Sequence, residues 1–210
     1  MNLTQTVLFI VPILLALTVH EYAHGWVAYK LGDPTAKAAG RLTFNPLSHL
    51  DVIGTVALLL FHFGWAKPVP VDPRYFRDPR RAMVWVAAAG PGANIALAFV
   101  LGILQRTLVE SGIIGFYSIP HIIIGFTVFI NLMLAFFNML PIPPLDGSKV
   151  VAGLLPLQYL ERWIQFERSG WIIIIGLFFI GSMTGIPVFK PIFHLARVLY
   201  WMFTGETSMF

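Results

Sequence analysis

The chain has 210 residues, 57% of them hydrophobic and only 11% charged, with a net charge of +4. Soluble domains carry about 25% charged residues, so this composition excludes an ordinary water-soluble fold and points to lipid. Cysteine is absent, which excludes disulfides and thiolate metal ligands and leaves His, Asp and Glu to hold any metal. The length gives room for about four to six membrane spans and no soluble domain of ordinary size. The positive charge gathers in a few loops, which reads as membrane topology and not as nucleic-acid binding.

The first predicted span covers residues 4–29. MNLTQT lacks the basic region of a signal peptide and the apolar run is too long for one, so the segment is expected to stay as a span. Between Val7 and Tyr29 the only ionisable side chains that titrate near neutrality or below are His20, Glu21 and His24, within His20-Glu21-Tyr22-Ala23-His24. Ionisable groups at bilayer depth are costly, and their default reading is functional. On a helix, His20 and His24 lie one turn apart on one face and can grip one zinc ion. Glu21 projects about 100° round the axis from His20, where it can reach a zinc-bound water. Interhelical hydrogen bonding of two structural histidines is the bland alternative, and it leaves the spaced triplet with Glu unexplained.

Val52–Phe63 comes next, apolar but short for a span, and fits a re-entrant or interfacial piece. Val69-Pro-Val-Asp-Pro beyond it can form an edge strand or a rigid extended loop; Pro68 and Pro70 have no N–H to donate. Further spans are predicted at 82–105, 121–141 and 170–187. Residues 187–203 contain Lys190, His194 and Arg197, so they form a last span or an amphipathic surface helix. The fold class is therefore an all-α polytopic membrane protein, one domain over 1–210, with four to six transmembrane helices. A re-entrant or short β segment separates the first and second long spans.

Charge orders the loops. Residues 30–51, 64–81 and 142–169 are basic, whereas 106–120 has only Arg106 with Glu110. The positive-inside rule puts the first three on the cytoplasmic side. His20 and His24 then fall at the cytoplasmic end of the first span, and 121–141 delivers Pro141-Ile-Pro-Pro-Leu-Asp146-Gly147 to the same side. A catalytic zinc needs a third protein ligand and an open position. Asp146 leads His49 and Asp51 for that role, because the prolines force irregular backbone that must line protein or a wet cavity. His62, His121 and His194 read as satisfied or interfacial histidines.

HEYAH in a first span, Ala89-Gly-Pro-Gly-Ala-Asn94 in a middle span and Asn138-Met-Leu-Pro-Ile-Pro-Pro-Leu-Asp146-Gly147 after another resemble the site-2 proteases, polytopic intramembrane zinc metalloproteases. Phe44-Asn-Pro-Leu-Ser-His-Leu-Asp51 and Gly64-Trp-Ala-Lys-Pro-Val-Pro-Val71 resemble the short prokaryotic branch without PDZ or CBS domains. The resemblance runs to about residue 150. It implies zinc held by His20, His24 and Asp146, with Glu21 as catalytic base, and it places Asn94 and Asn138 near the active site as substrate or oxyanion contacts. Hydrogen bonding between packed spans is an equal alternative for Asn94. The expected function is hydrolysis of peptide bonds in transmembrane protein substrates, in a cell membrane, near the cytoplasmic side. The expected surroundings are lipid, with no nucleic acid. A zinc-binding membrane transporter, which needs ligands but no general base, and an inactive scaffold are the alternatives.

Overall fold

In the computed structural model, which describes residues 3–61, 64–185 and 187–207, nine α-helices carry the chain among the described residues. They are α1 (Leu3–Lys30), α2 (Thr35–Ala38), α3 (Val52–Phe61), α4 (Pro79–Glu110), α5 (Ile119–Asn138), α6 (Asp146–Leu154), α7 (Leu157–Glu167), α8 (Gly170–Thr184) and α9 (Lys190–Thr204). Leu8–Lys30, Pro79–Glu110 and Ile119–Asn138 are long and apolar enough to cross a membrane, as the predicted first, second and third spans require. Local chemistry sets their ends. Asp78 accepts from the Arg81 amide ahead of α4, and Ser118 stands before α5 with Pro120 in its first turn.

The bundle is built from α1, α4, α5 and α9, whose contacts bury Ala98, Val128, Leu132, Ala196 and Tyr200 in one cluster. Small residues let these helices approach closely, and a Cβ at Gly102 would press on Phe203. α9 runs antiparallel to α5: Phe189, just before it, meets Phe137, Phe193 meets Phe129, and Glu206, just beyond it, reaches His121. With fifteen residues α9 is about 22 Å long, and it lies against the bundle rather than apart from it. α8 also has fifteen residues and exposes Ile172, Ile175, Phe179 and Met183.

Between α1 and α4 the chain leaves the bundle as α3 and returns beside itself. Leu50 and Ala66 form an isolated antiparallel bridge, and the Lys67 amide donates to the His49 carbonyl at 2.9 Å. No strand forms among the described residues, so the expected β segment is reduced to this bridge. His62 and Phe63 lie outside the described residues. The returning stretch 64–72 is strapped over the end of α1 by side chains. Arg41 donates to the Lys67 carbonyl at 2.5 Å, and the fully buried Asp33 accepts from the Asp72 amide at 2.8 Å and the Thr35 amide at 2.9 Å.

Candidate metal centre

The last three turns of α1, the first half of α4 and the start of α6 meet at one end of the bundle. His20 and His24, four residues apart on α1, bring their Nε2 atoms to 3.0 Å from each other. Asp146, the first residue of α6, places Oδ2 at 3.1 Å from both. All three side chains are buried. Zinc at about 2.0–2.1 Å from each ligand in a tetrahedral array needs donors about 3.3 Å apart, close to this triangle.

The other ring atoms show which electron pairs face inward. His24 Nδ1 lies 2.6 Å from the Val86 carbonyl, which can only accept, so that nitrogen carries the proton. His20 Nδ1 lies 2.6 Å from Asn94 Oδ1, with the same consequence. Both Nε2 lone pairs are thereby turned towards a carboxylate oxygen. Three donors converging without a proton of their own fit a divalent cation, and the donor set suits zinc. The Lys149 ammonium donates to the outer oxygen, Oδ1, at 3.2 Å, leaving Oδ2 for the metal.

Gly90 of α4 makes the room. A Cβ there would overlap His24 Nε2 and stand 2.7 Å from His20 Cε1. The place of Gly90 under the two imidazoles is set by three-dimensional packing and has no signature in the sequence. Lys149 and the Val86 carbonyl were equally invisible. Asn131, which accepts from Asn94, is a further buried polar residue beside the site, and an amide inside an apolar span is itself a signal in the sequence.

Glu21 lines the same cleft, and its Oε2 accepts from the Val69 amide of the strap at 3.0 Å. The cleft is about 810 Å³ and mostly apolar, and it runs past Trp65, Val69, Met133 and Asn138 to His20, His24 and Asp146. Asn138 donates to the Leu134 carbonyl of its own helix at 3.0 Å and keeps its place on the cleft wall. Asn94 is fully buried, with its amide nitrogen given to the Ala16 carbonyl at 3.0 Å and to Asn131 Oδ1 at 2.7 Å. It therefore stands behind His20 and has no donor left for a substrate.

The other sequence candidates lie elsewhere. His49 is buried and its Nε2 donates to the Thr43 carbonyl at 2.9 Å, while Asp51 accepts from the Gly54 amide at 2.8 Å at the start of α3. His121 pairs with Glu206 at the opposite end of the bundle, and His194 is exposed on α9.

Long apolar helices thus carry a buried His-His-Asp group positioned to bind a metal ion, with a glutamate in the same cleft. The profile of peptidase family M50 matches residues 111–182. "Putative zinc metalloprotease YwhC" of Bacillus subtilis is 40% identical over 179 residues, covering 80% of this chain and 78% of that protein. "Putative zinc metalloprotease MJ0611" of Methanocaldococcus jannaschii is 33% identical over 166 residues, 78% of this chain and 72% of that one. "Putative zinc metalloprotease Rip2" of Mycolicibacterium smegmatis is 27% identical over 203 residues, 94% of this chain and 73% of that one. The chain belongs to peptidase family M50, the site-2 proteases, and is a zinc metalloprotease of the membrane. No solved structure matches it.

Proposed function

We propose that this metalloprotease is an intramembrane endopeptidase that cuts transmembrane protein substrates, with Glu21 as general base. The observation that carries the reading is the placement of Glu21 in one apolar cleft with His20, His24 and Asp146, at the end of helices long enough to span lipid. Bound zinc supplies a Lewis acid that polarises the scissile carbonyl and lowers the pKa of water.

The chain's own residues do the rest. Glu21 takes a proton from the attacking water on its free carboxylate oxygen and passes it to the leaving amine, while the Val69 amide holds Oε2 and fixes the orientation of the carboxylate. The apolar walls of the cleft keep bulk water away, which strengthens every charge interaction inside. A helical substrate hides its peptide bonds and must unwind locally before attack. Trp65 and Val69 on one wall and Met133 and Asn138 on the other make a cleft suited to an extended chain. The Val69 amide is committed to Glu21 and Pro68 and Pro70 have none, so pairing of a substrate strand with residues 68–70 rests on carbonyl acceptors.

The basic loops 30–51, 64–81 and 142–169 all lie at the metal-binding end, so we place that end at the cytoplasmic face of a cell membrane. A prokaryotic plasma membrane is the setting that the family resemblance implies. A carrier would not need Glu21, and a scaffold would not need the complete triad beside it.

The test is Glu21→Gln in the full chain, with zinc content and cleavage of a single-span substrate both measured. Zinc should be retained and cleavage abolished, since both histidines are spared and the base is gone. Cleavage near the parent rate would remove Glu21 from the mechanism.

A further inference from the structure

We propose that Asn131, in the middle of α5, is a positioning residue for the metal: it sets the polarity of the Asn94 amide and through it the tautomer of His20. Four groups form a chain across three helices. Asn131 Nδ2 donates to the Thr127 carbonyl at 2.8 Å, Asn94 Nδ2 donates to Asn131 Oδ1 at 2.7 Å, and His20 Nδ1 lies 2.6 Å from Asn94 Oδ1. Asn94 and Asn131 are both fully buried.

The direction of the chain is dictated from its far end. A backbone carbonyl only accepts, so Thr127 takes the nitrogen of the Asn131 amide and turns its oxygen towards Asn94. Asn94 must then donate there, and its oxygen is turned towards His20. A carboxamide oxygen also only accepts, so the His20 proton is held on Nδ1 and the Nε2 lone pair is left for the metal. The Ala16 carbonyl, 3.0 Å from Asn94 Nδ2, pulls the same way. His24 needs no such device, because its Nδ1 meets the Val86 carbonyl directly.

Removing the acceptor at 131 strands one Asn94 N–H in an apolar interior. It also lowers the barrier to the flipped amide, whose nitrogen would meet His20 Nδ1 and move the ring proton to Nε2, where it blocks the metal. The Ala16 carbonyl resists that flip, so the effect is weakened binding and not total loss. Outer partners of metal-ligating histidines are typically worth about 10–100-fold in affinity.

The inference rests on the metalloprotease reading only through the metal site, and it is tested without substrate. Zinc affinity of the detergent-solubilised full chain is measured by competition with a chromogenic chelator, and thermal unfolding of the metal-free protein is followed alongside. Asn131→Leu and Asn131→Ala should each weaken zinc binding about tenfold, the lower end of that range, because Asn131 reaches His20 only through Asn94. Asn131→Asp should bind within about threefold of the parent, because a neutral carboxyl gives its O–H to the Thr127 carbonyl and keeps an oxygen facing Asn94. Val128→Ala, a fully buried core position on the same helix, should lower the unfolding temperature and leave zinc affinity unchanged.

A merely structural Asn131 gives the opposite pattern. If Leu or Ala lowers the unfolding temperature and leaves zinc affinity at the parent value, the proposal is overturned. It is also overturned if Asp weakens binding as much as Ala. The Ala variant decides the matter should Leu fail to fold. A failure of the Glu21→Gln experiment would remove the proteolytic mechanism and leave these affinities untouched.

Discussion

Gly90 shows how an absent side chain can be part of a metal site. Gly→Ala inside an exposed helix is worth about 0.8–1.0 kcal/mol of stabilisation by propensity. At Gly90 the added Cβ would overlap His24 Nε2, and such overpacking costs about 1–3 kcal/mol. Gly90→Ala should therefore lose about tenfold or more in zinc affinity, read by chelator competition, without loss of helix content. Binding equal to the parent would mean that α1 and α4 can part at no cost. Asp146→Ala should strip zinc in metal analysis, whereas His49→Ala and Asp51→Ala should not. The latter two side chains hold the Thr43 carbonyl and the first turn of α3, far from His20 and His24 in their bonding. Loss of zinc from either would name a different third ligand. These residues also mark what a sequence can reveal. His20, Glu21 and His24 stand out because charge in an apolar run is costly, and Asp146 because prolines precede it. Gly90 and the Val86 carbonyl carry no such signature, since their roles exist only once α1 and α4 are packed together; Asn131 is marked as an amide in an apolar run, but its partner is set by the packing of α4 on α5.

The excursion through α3 shows the same division between pattern and packing. Shortness and basic flanks on both sides predict that the segment leaves and returns on one face, and the Leu50–Ala66 bridge brings its flanks together. That the return stretch lies over Glu21 is a tertiary fact, set by the grips of Asp33 and Arg41 on its backbone. Gly54 lets α3 sit against it: a Cβ there would overlap the Trp65 carbonyl and stand 3.0 Å from the Trp65 nitrogen. Gly54→Leu should push Trp65 and Val69 away from the cleft and release the Glu21 carboxylate. Misplacement of about 1 Å near reacting groups can cost roughly a hundredfold, so cleavage should fall at least about tenfold. Zinc content should hold, because all three metal-binding side chains lie on α1 and α6. A variant that cleaves at the parent rate would show that the strap plays no part in the reaction. The helix ends were less legible than the excursion. The third span stops at Asn138, where 121–141 was expected, since the Pro141–Pro144 stretch removes backbone donors before Asp146 restarts a helix.

The direction of α9 decides on which side Thr207 lies, and composition alone leaves it open. Lys190, His194 and Arg197 make the segment look interfacial, yet Ile192, Ala196 and Tyr200 are buried against α4 and α5. Polar groups close the far end. Glu206 lies 2.9 Å from His121 Nε2 and 3.2 Å from Gln105 Nε2, and His121 and Gln105 belong to the ends of α5 and α4 that flank the 111–118 loop. Thr207 must therefore share a side with Ser111, opposite the metal centre. The absence of cysteine makes this directly measurable with single Ala38→Cys, Tyr75→Cys, Gln165→Cys, Ser111→Cys and Thr207→Cys variants, all at exposed positions. An impermeant thiol reagent applied to intact cells should label Ser111→Cys and Thr207→Cys and leave the other three unreacted until the membrane is broken. The basic loops demand protection of the first three, and the His121–Glu206 contact demands that the last two agree. Labelling of Tyr75→Cys from outside would turn α3 into a crossing, reverse α4 and α5, and carry Asp146 away from His20 and His24. Protection of Thr207→Cys with Ser111→Cys labelled would instead detach α9 from the bundle while sparing the metal site, so the two failures would read differently in one experiment.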